Sequence, residues 1–128
     1  MDDTTRLRIW RRDGFKCVYC GYDGRASYEA FRHLRVDHLR PEAIGGGDED
    51  ENLFTACAAC HRDKTTYEFK SIEEARRWLR LYRKEYSRPW FEAHVLASND
   101  PAAWDAAARL RRTKERFNAG EDEPEGAN

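Results

Sequence analysis

Four cysteines stand as two Cys-x-x-Cys pairs, Cys17/Cys20 and Cys57/Cys60, and the second pair runs directly into His61. A Cys-x-x-Cys turn presents two thiolates on one side of a tight loop, so two such turns complete a tetrahedral all-sulfur site for zinc. A site of that kind has no open position for water, and its role is structural. Metal binding contributes on the order of 10 kcal/mol to folding in zinc-dependent peptides, comparable to the whole net stability of a small domain. Two other chemistries use the same residue types. A redox dithiol belongs in a βαβ setting, which is missing here. Cys57-Ala58-Ala59-Cys60-His61 also has the form of a c-type haem attachment site, which would make the protein an electron carrier and leave Cys17/Cys20 unexplained. Between the pairs lie Asp37-His38, at the end of a strand-like run, and Asn52, beyond a glycine-rich loop.

The elements around these residues follow from periodicity and punctuation. Residues 4–13 carry Leu7, Ile9 and Trp10 among arginines and predict a short helix ended by Gly14. Residues 31–39 alternate as a strand, with Leu34, Val36 and His38 on one face and His33, Arg35 and Asp37 on the other. Pro41 and Gly45-Gly46-Gly47 end it, and Asp48 to Glu51 reads as an acidic, solvated loop tip. A second strand begins at Asn52, and residues 58–67 are expected to be helical, completing a ββα arrangement. Ser71 and Glu74 fit a capping box opening a helix that should run to about Ser87, before Pro89. Ile72, Ala75, Trp78, Leu79, Tyr82 and Tyr86 share one arc of it, and Arg76, Arg77, Arg80, Arg83 and Lys84 share the next. A last helix is expected from the Asp100-Pro101 cap to about Phe117, and residues 119–128 lack anything to bury.

At 128 residues with 37% charged side chains the chain supports one modest core, which a structural metal would reinforce. The net charge of −1 is unevenly distributed: residues 1–40, 41–60, 61–90 and 91–128 carry +3, −5, +4 and −3. Basic blocks flanking an acidic loop are compatible with phosphate binding despite the near-neutral total. The N-terminus has no apolar stretch of a signal peptide, and no run approaches the roughly 18 apolar residues of a membrane span. With paired cysteines spaced for metal, these features predict a soluble, cytoplasmic protein.

The stretches RRDGFKCVYCG, VDHLRP, GGG, ENL and CAACHRDK together resemble the zinc-containing HNH endonucleases, over roughly residues 6–67. The resemblance implies an α+β fold with a small ββα-metal, treble-clef-like core stapled by the four-cysteine zinc site, with added helices at both ends. It implies His38 as general base, Asn52 as the brace of the loop that helps orient that base, and Asp37 with His61 as ligands of one catalytic divalent ion. Asp-His stands where some members have His-His. Hydrolysis of a phosphodiester needs a base at the attacking water, and a histidine with an unperturbed pKa near 6.5 is suited to it. A loose mixed N/O site suits Mg²⁺ or Mn²⁺, with Co²⁺ or Ni²⁺ as substitutes. A regular strand points Asp37 and His38 to opposite faces, so a shared site requires a twist or break at residues 39–41.

The expected partner is DNA, with Arg62, Lys64, Arg76, Arg80, Arg83 and Lys84 as contacts and Arg6, Arg8, Arg11 and Arg12 as a further basic track. The implied organisation is a nuclease domain over 1–90 that includes the basic helix 71–87, a helical extension over 91–118 and an acidic tail over 119–128. The alternative is a zinc-dependent DNA-binding module without catalysis.

Overall fold

The structure, a computed structural model, describes residues 1–97 and 104–121. The expected cap at Asp100-Pro101 and all but the first residues of the acidic tail lie outside the described residues. The chain divides into two compact units, Met1–Arg76 and Arg77–Asn128. This division falls within the helix Ile72–Tyr82.

In the first unit, α1 (Asp3–Arg12) is capped by Asp2, whose carboxylate accepts from Thr5 N–H at 2.8 Å, and buries Ile9 completely. The chain then reverses through Gly14 and Phe15, both at positive φ, into the first cysteine turn. A short helical turn, α2 (Tyr28–Phe31), is capped by Ser27 accepting from Ala30 N–H. It occupies the start of the expected strand, so β1 is confined to Leu34–His38. β1 pairs antiparallel with β2 (Leu53–Cys57), with Leu34 opposite Cys57 and His38 opposite Leu53. Cys57 is at once the last residue of β2 and the N-cap of α3 (Ala58–Lys64), so the strand hands the first cysteine of its pair directly to the helix that carries His61. α3 stops at Thr65, which has φ +49°, three residues short of expectation. The result is a ββα core with helices added.

α4 (Ile72–Tyr82) opens with Glu74 N–H bonded to Ser71 Oγ at 3.1 Å. It buries Ala75, Trp78 and Leu79 as its periodicity predicts, and Leu81 besides. Pro89 does not end the helical run. Residues Arg83–Ser87 form a π-helical turn in which Arg88 N–H reaches Arg83 C=O, and α5 (Arg88–Phe91) and a second π turn, Glu92–Leu96, follow. Proline is tolerated where it enters because the wider turn has already interrupted the regular ladder in which its missing N–H would be felt. In the second unit, α6 (Ala106–Asn118) returns Phe117 edge-on to Trp78 at 5.5 Å, and Tyr82 stacks on Tyr86 at 5.3 Å. Among the described residues no helix is long and apolar enough to cross a membrane.

Candidate active site and metal centre

The cysteine turns converge. Gly21, at φ +80°, closes the first turn with its N–H on Cys17 C=O at 2.8 Å, and Val18 N–H ties that turn to Thr55 C=O of β2 at 2.9 Å. All four Sγ atoms lie within 4.8 Å of one another, and Cys20 and Cys57 Sγ are 3.7 Å apart. Sulfurs about 2.3 Å from a tetrahedral zinc stand about 3.8 Å apart, so the four thiols fit the ion. None is in a disulfide, and Cys17, Cys57 and Cys60 are buried. Hydrogen bonds among the thiols hold Cys57 well below its ordinary range and bring Cys20 down to about 6, in both chiefly through Cys17. They push Cys17 up, chiefly through Cys20, and Cys60 up, chiefly through Cys17. Sulfurs this close share protons among themselves, and a dication would replace those protons. Cys17 and Cys20 converge with Cys57 and Cys60 on one point, which accounts for all four residues and removes the reason to reserve one pair for haem.

Asp37 lies on the inner side of β1 and is only 3% exposed. Its Oδ1 is 3.0 Å from His61 Nδ1 on α3, while its Oδ2 accepts from Tyr19 O–H at 2.6 Å and lies 3.4 Å from Lys64 Nζ. Burial, then the adjacent Asp37 carboxylate, holds the Tyr19 hydroxyl far above its ordinary pKa, so it remains a donor. His61 is half-exposed, leaving one side of the pair open to solvent. Ligand atoms about 2.1 Å from an octahedral ion and at right angles to each other stand about 3 Å apart, which this pair matches.

Lys64 is fully buried, and its ammonium donates to the His38 and Leu39 carbonyls at 3.1 and 3.4 Å. It is therefore directed inward rather than to a DNA backbone. Three residues after His61 on one short helix, it falls on the same inward face. Arg62 is largely exposed, beside Asp63. Arg76 donates to Val18 C=O at 2.7 Å and is half-buried, so it braces the first cysteine turn. In the second unit Arg80 and Arg83 are half-buried and Lys84 is exposed; the helix face read as a solvated basic stripe is in large part covered. Arg77 lies over the Phe117 ring at 4.4 Å.

β1 is regular to its end, so no break brings His38 round to Asp37. Its imidazole faces the other way, with Nε2 2.7 Å from Asp48 Oδ1 and 3.1 Å from Glu42 Oε1. Among the described residues no hydrogen bond or ion pair joins the His38 side chain to Asp37 or His61. His38, Glu42 and Asp48 line a cleft of about 330 Å³ with Arg6, Trp10 and Arg35. Asn52 spends its whole amide on the loop between the strands: Oδ1 accepts from Arg40 N–H at 2.8 Å, and Nδ2 donates to Arg40 C=O at 3.1 Å and Gly47 C=O at 2.8 Å. Gly46 completes the turn, since a Cβ there would stand 1.7 Å from Arg40 C=O. The loop tip is not simply solvated. Asp48 is against His38, and Asp50 pairs with Arg8 at 3.0 Å. Sequence reasoning missed Tyr19, Glu42 and Asp48. No spacing rule links residues 38 and 48, and Tyr19 sits unmarked between two cysteines.

Residues 17–66 match the model of the family described as HNH endonuclease. The chain is similar to the DNA annealing helicase and endonuclease ZRANB3 of Bos taurus, 41% identical over 44 residues, which is 34% of this chain and 4% of that protein. No solved structure matches significantly.

Proposed function

We propose, from the premise that residues 17–66 form an HNH endonuclease domain, that the protein hydrolyses phosphodiester bonds in DNA. The observation that carries this reading is the contact between Asp37 and His61, an oxygen and a nitrogen 3.0 Å apart and open on one side. Those two residues would hold a divalent ion, Mg²⁺ or Mn²⁺, which when bound stabilises the charge gathering on phosphate and leaving-group oxygens. His38 takes the proton from the attacking water. The two side chains point to opposite faces of β1, so this reading requires the scissile phosphate to lie across the end of the strand, between the cleft and the Asp37–His61 pair. Asn52 holds the loop that frames the cleft. Arg62, which is largely exposed, and Arg6 and Arg35, which line the cleft, are the candidates for phosphate contact, with Arg80, Arg83 and Lys84 as sequence-based candidates in the second unit.

A second reading, a zinc-stapled DNA-binding module without catalysis, has its own support. Asp37 has its hydrogen bonds satisfied by Tyr19, His61 and Lys64 alone. Plasmid cleavage in Mg²⁺ or Mn²⁺, with and without chelator, separates the two. His38→Ala should lower the rate about 10²- to 10⁴-fold while DNA binding persists, and higher pH should restore part of it because hydroxide replaces the base. His61→Ala should instead respond to excess metal. Near-normal cutting by His38→Ala would exclude it as the base, and no metal-dependent cutting by the unmodified protein would favour the binding module.

A further inference from the structure

The carboxylates on the cleft side of β1 are unaccounted for by a base, a brace and two metal ligands. We propose that Asp48, backed by Glu42, is the positioning residue of His38: it accepts the Nε2–H, fixes the imidazole in that tautomer and leaves Nδ1 as the nitrogen that takes the proton. This deepens the nuclease reading and rests on it.

A carboxylate only accepts, so an imidazole nitrogen 2.7 Å from Asp48 Oδ1 carries a hydrogen. In a neutral imidazole the other nitrogen then holds the lone pair. Glu42 Oε1, 3.1 Å from the same nitrogen, makes the choice redundant. His38 is mostly buried, its side chain 14% exposed, so the ring is not free to turn and offer the opposite nitrogen without losing both acceptors.

Asp48 owes its place to a built loop. Asn52 pins Gly47 C=O, the residue before Asp48, and pins both the N–H and C=O of Arg40, two residues beyond His38. Gly46 N–H bonds to Pro41 C=O at 2.9 Å, and no side chain fits at that position. Arg12 donates to Asp50 C=O at 2.8 Å, holding the far side of the loop against α1. Asn52 thus acts on the base at one remove: it fixes the loop end, the loop end fixes Asp48, and Asp48 fixes the ring. A base held in one tautomer and one orientation is what removes the cost of reorganising it at each turnover.

The test combines nitrogen NMR with kinetics on the zinc-loaded full chain. Long-range ¹H–¹⁵N spectra, read in the neutral form of the ring, should show His38 with a protonated Nε2 and a bare Nδ1. Glu42→Ala/Asp48→Ala should give a mixture of tautomers. It should lower kcat for plasmid cleavage roughly 10²-fold, with KM for DNA and the Mg²⁺ half-saturation unchanged. Asp48→Ala alone should lose about tenfold or less because Glu42 remains, and Asp48→Glu should recover most of that. A protonated Nδ1 in the unmodified protein overturns the proposal whether or not any variant folds. So does a double variant with unchanged kcat, or a loss of the Nε2 proton on adding Mg²⁺, which would mark a cation site. The expected tautomer in a protein that cuts no DNA would sink the nuclease reading itself, and the base role with it.

Discussion

Cys17, Cys20, Cys57 and Cys60 turn four thiols onto one point, three of the residues buried, whereas Asp37 and His61 offer one oxygen and one nitrogen with half the imidazole in solvent. The first cluster interacts chiefly with itself, and its thiols perturb one another's protons. The second is shared, since Tyr19 and Lys64 occupy the other oxygen of Asp37. A closed, soft, four-coordinate set leaves an ion nothing to do but hold the chain. An open pair of mixed donors leaves room for water and phosphate. The same ββα core provides both, because Cys57 ends β2 and starts α3 while His61 sits one residue past Cys60.

The largest effect expected is loss of the closed cluster. Cys57→Ala removes a zinc ligand and the N-cap of α3 together, and the zinc contribution is of the order of 10 kcal/mol. The chain should be unfolded or aggregated, with zinc well below one per chain by elemental analysis. A native-like circular dichroism melt for this variant would remove the structural role assigned to the cluster.

The middle effect sharpens the contrast at Asp37. Asp37→Ala leaves Lys64 buried without its carboxylate and takes the acceptor from Tyr19. Breaking a buried pair in this way costs about 3–5 kcal/mol. Asp37→Asn keeps an acceptor for Tyr19 and should cost less, while abolishing metal-dependent cleavage just as fully. Urea melts of the zinc-loaded variants read the first difference and plasmid cleavage the second. Equal stability of both variants with the unmodified protein would show that Asp37 serves the ion alone.

Much of this was legible in residue spacing. The paired cysteines, the ββα order and the Ser71 cap are local signals and appear where their spacing puts them. What was hidden is what depends on contacts across the chain. Lys64 looks like a phosphate-binding cation until the end of β1 is seen beside it, with two carbonyls and Asp37 to receive its ammonium. Asp48 looks like a solubility residue until the glycine turn brings it to His38. The expected strand begins at residue 31, but Phe31 belongs to a short helical turn that the Ser27 cap opens, a local signal easily passed over. Pro89 is a sound stop signal that a π turn overrides.

The smallest effect concerns how the loop between β1 and β2 is held. Arg8 pairs with Asp50 in an exposed bridge, both side chains about half in solvent, and its hydrogen bond keeps the Asp50 carboxyl below its ordinary value of 3.8. A carboxylate with a depressed pKa contributes stability that is present above its unfolded value and lost as pH falls through the folded one. That window lies where protons also compete with zinc for the thiolates, so salt is the cleaner probe. Arg8→Ala should lower the melting temperature only slightly at neutral pH, and the difference should fade as salt rises toward about 1 M. Arg12 reaches the same loop through the carbonyls of Asp50 and Leu53, besides its pairing with Asp13. The bond to the Leu53 carbonyl is partly buried, and a hydrogen bond in such a setting is screened far less. Arg12→Ala should therefore give the larger loss, and it should persist in high salt. If both losses fade with salt alike, the loop is held to α1 by charge alone, and the brace assigned to Arg12's carbonyl bonds is wrong.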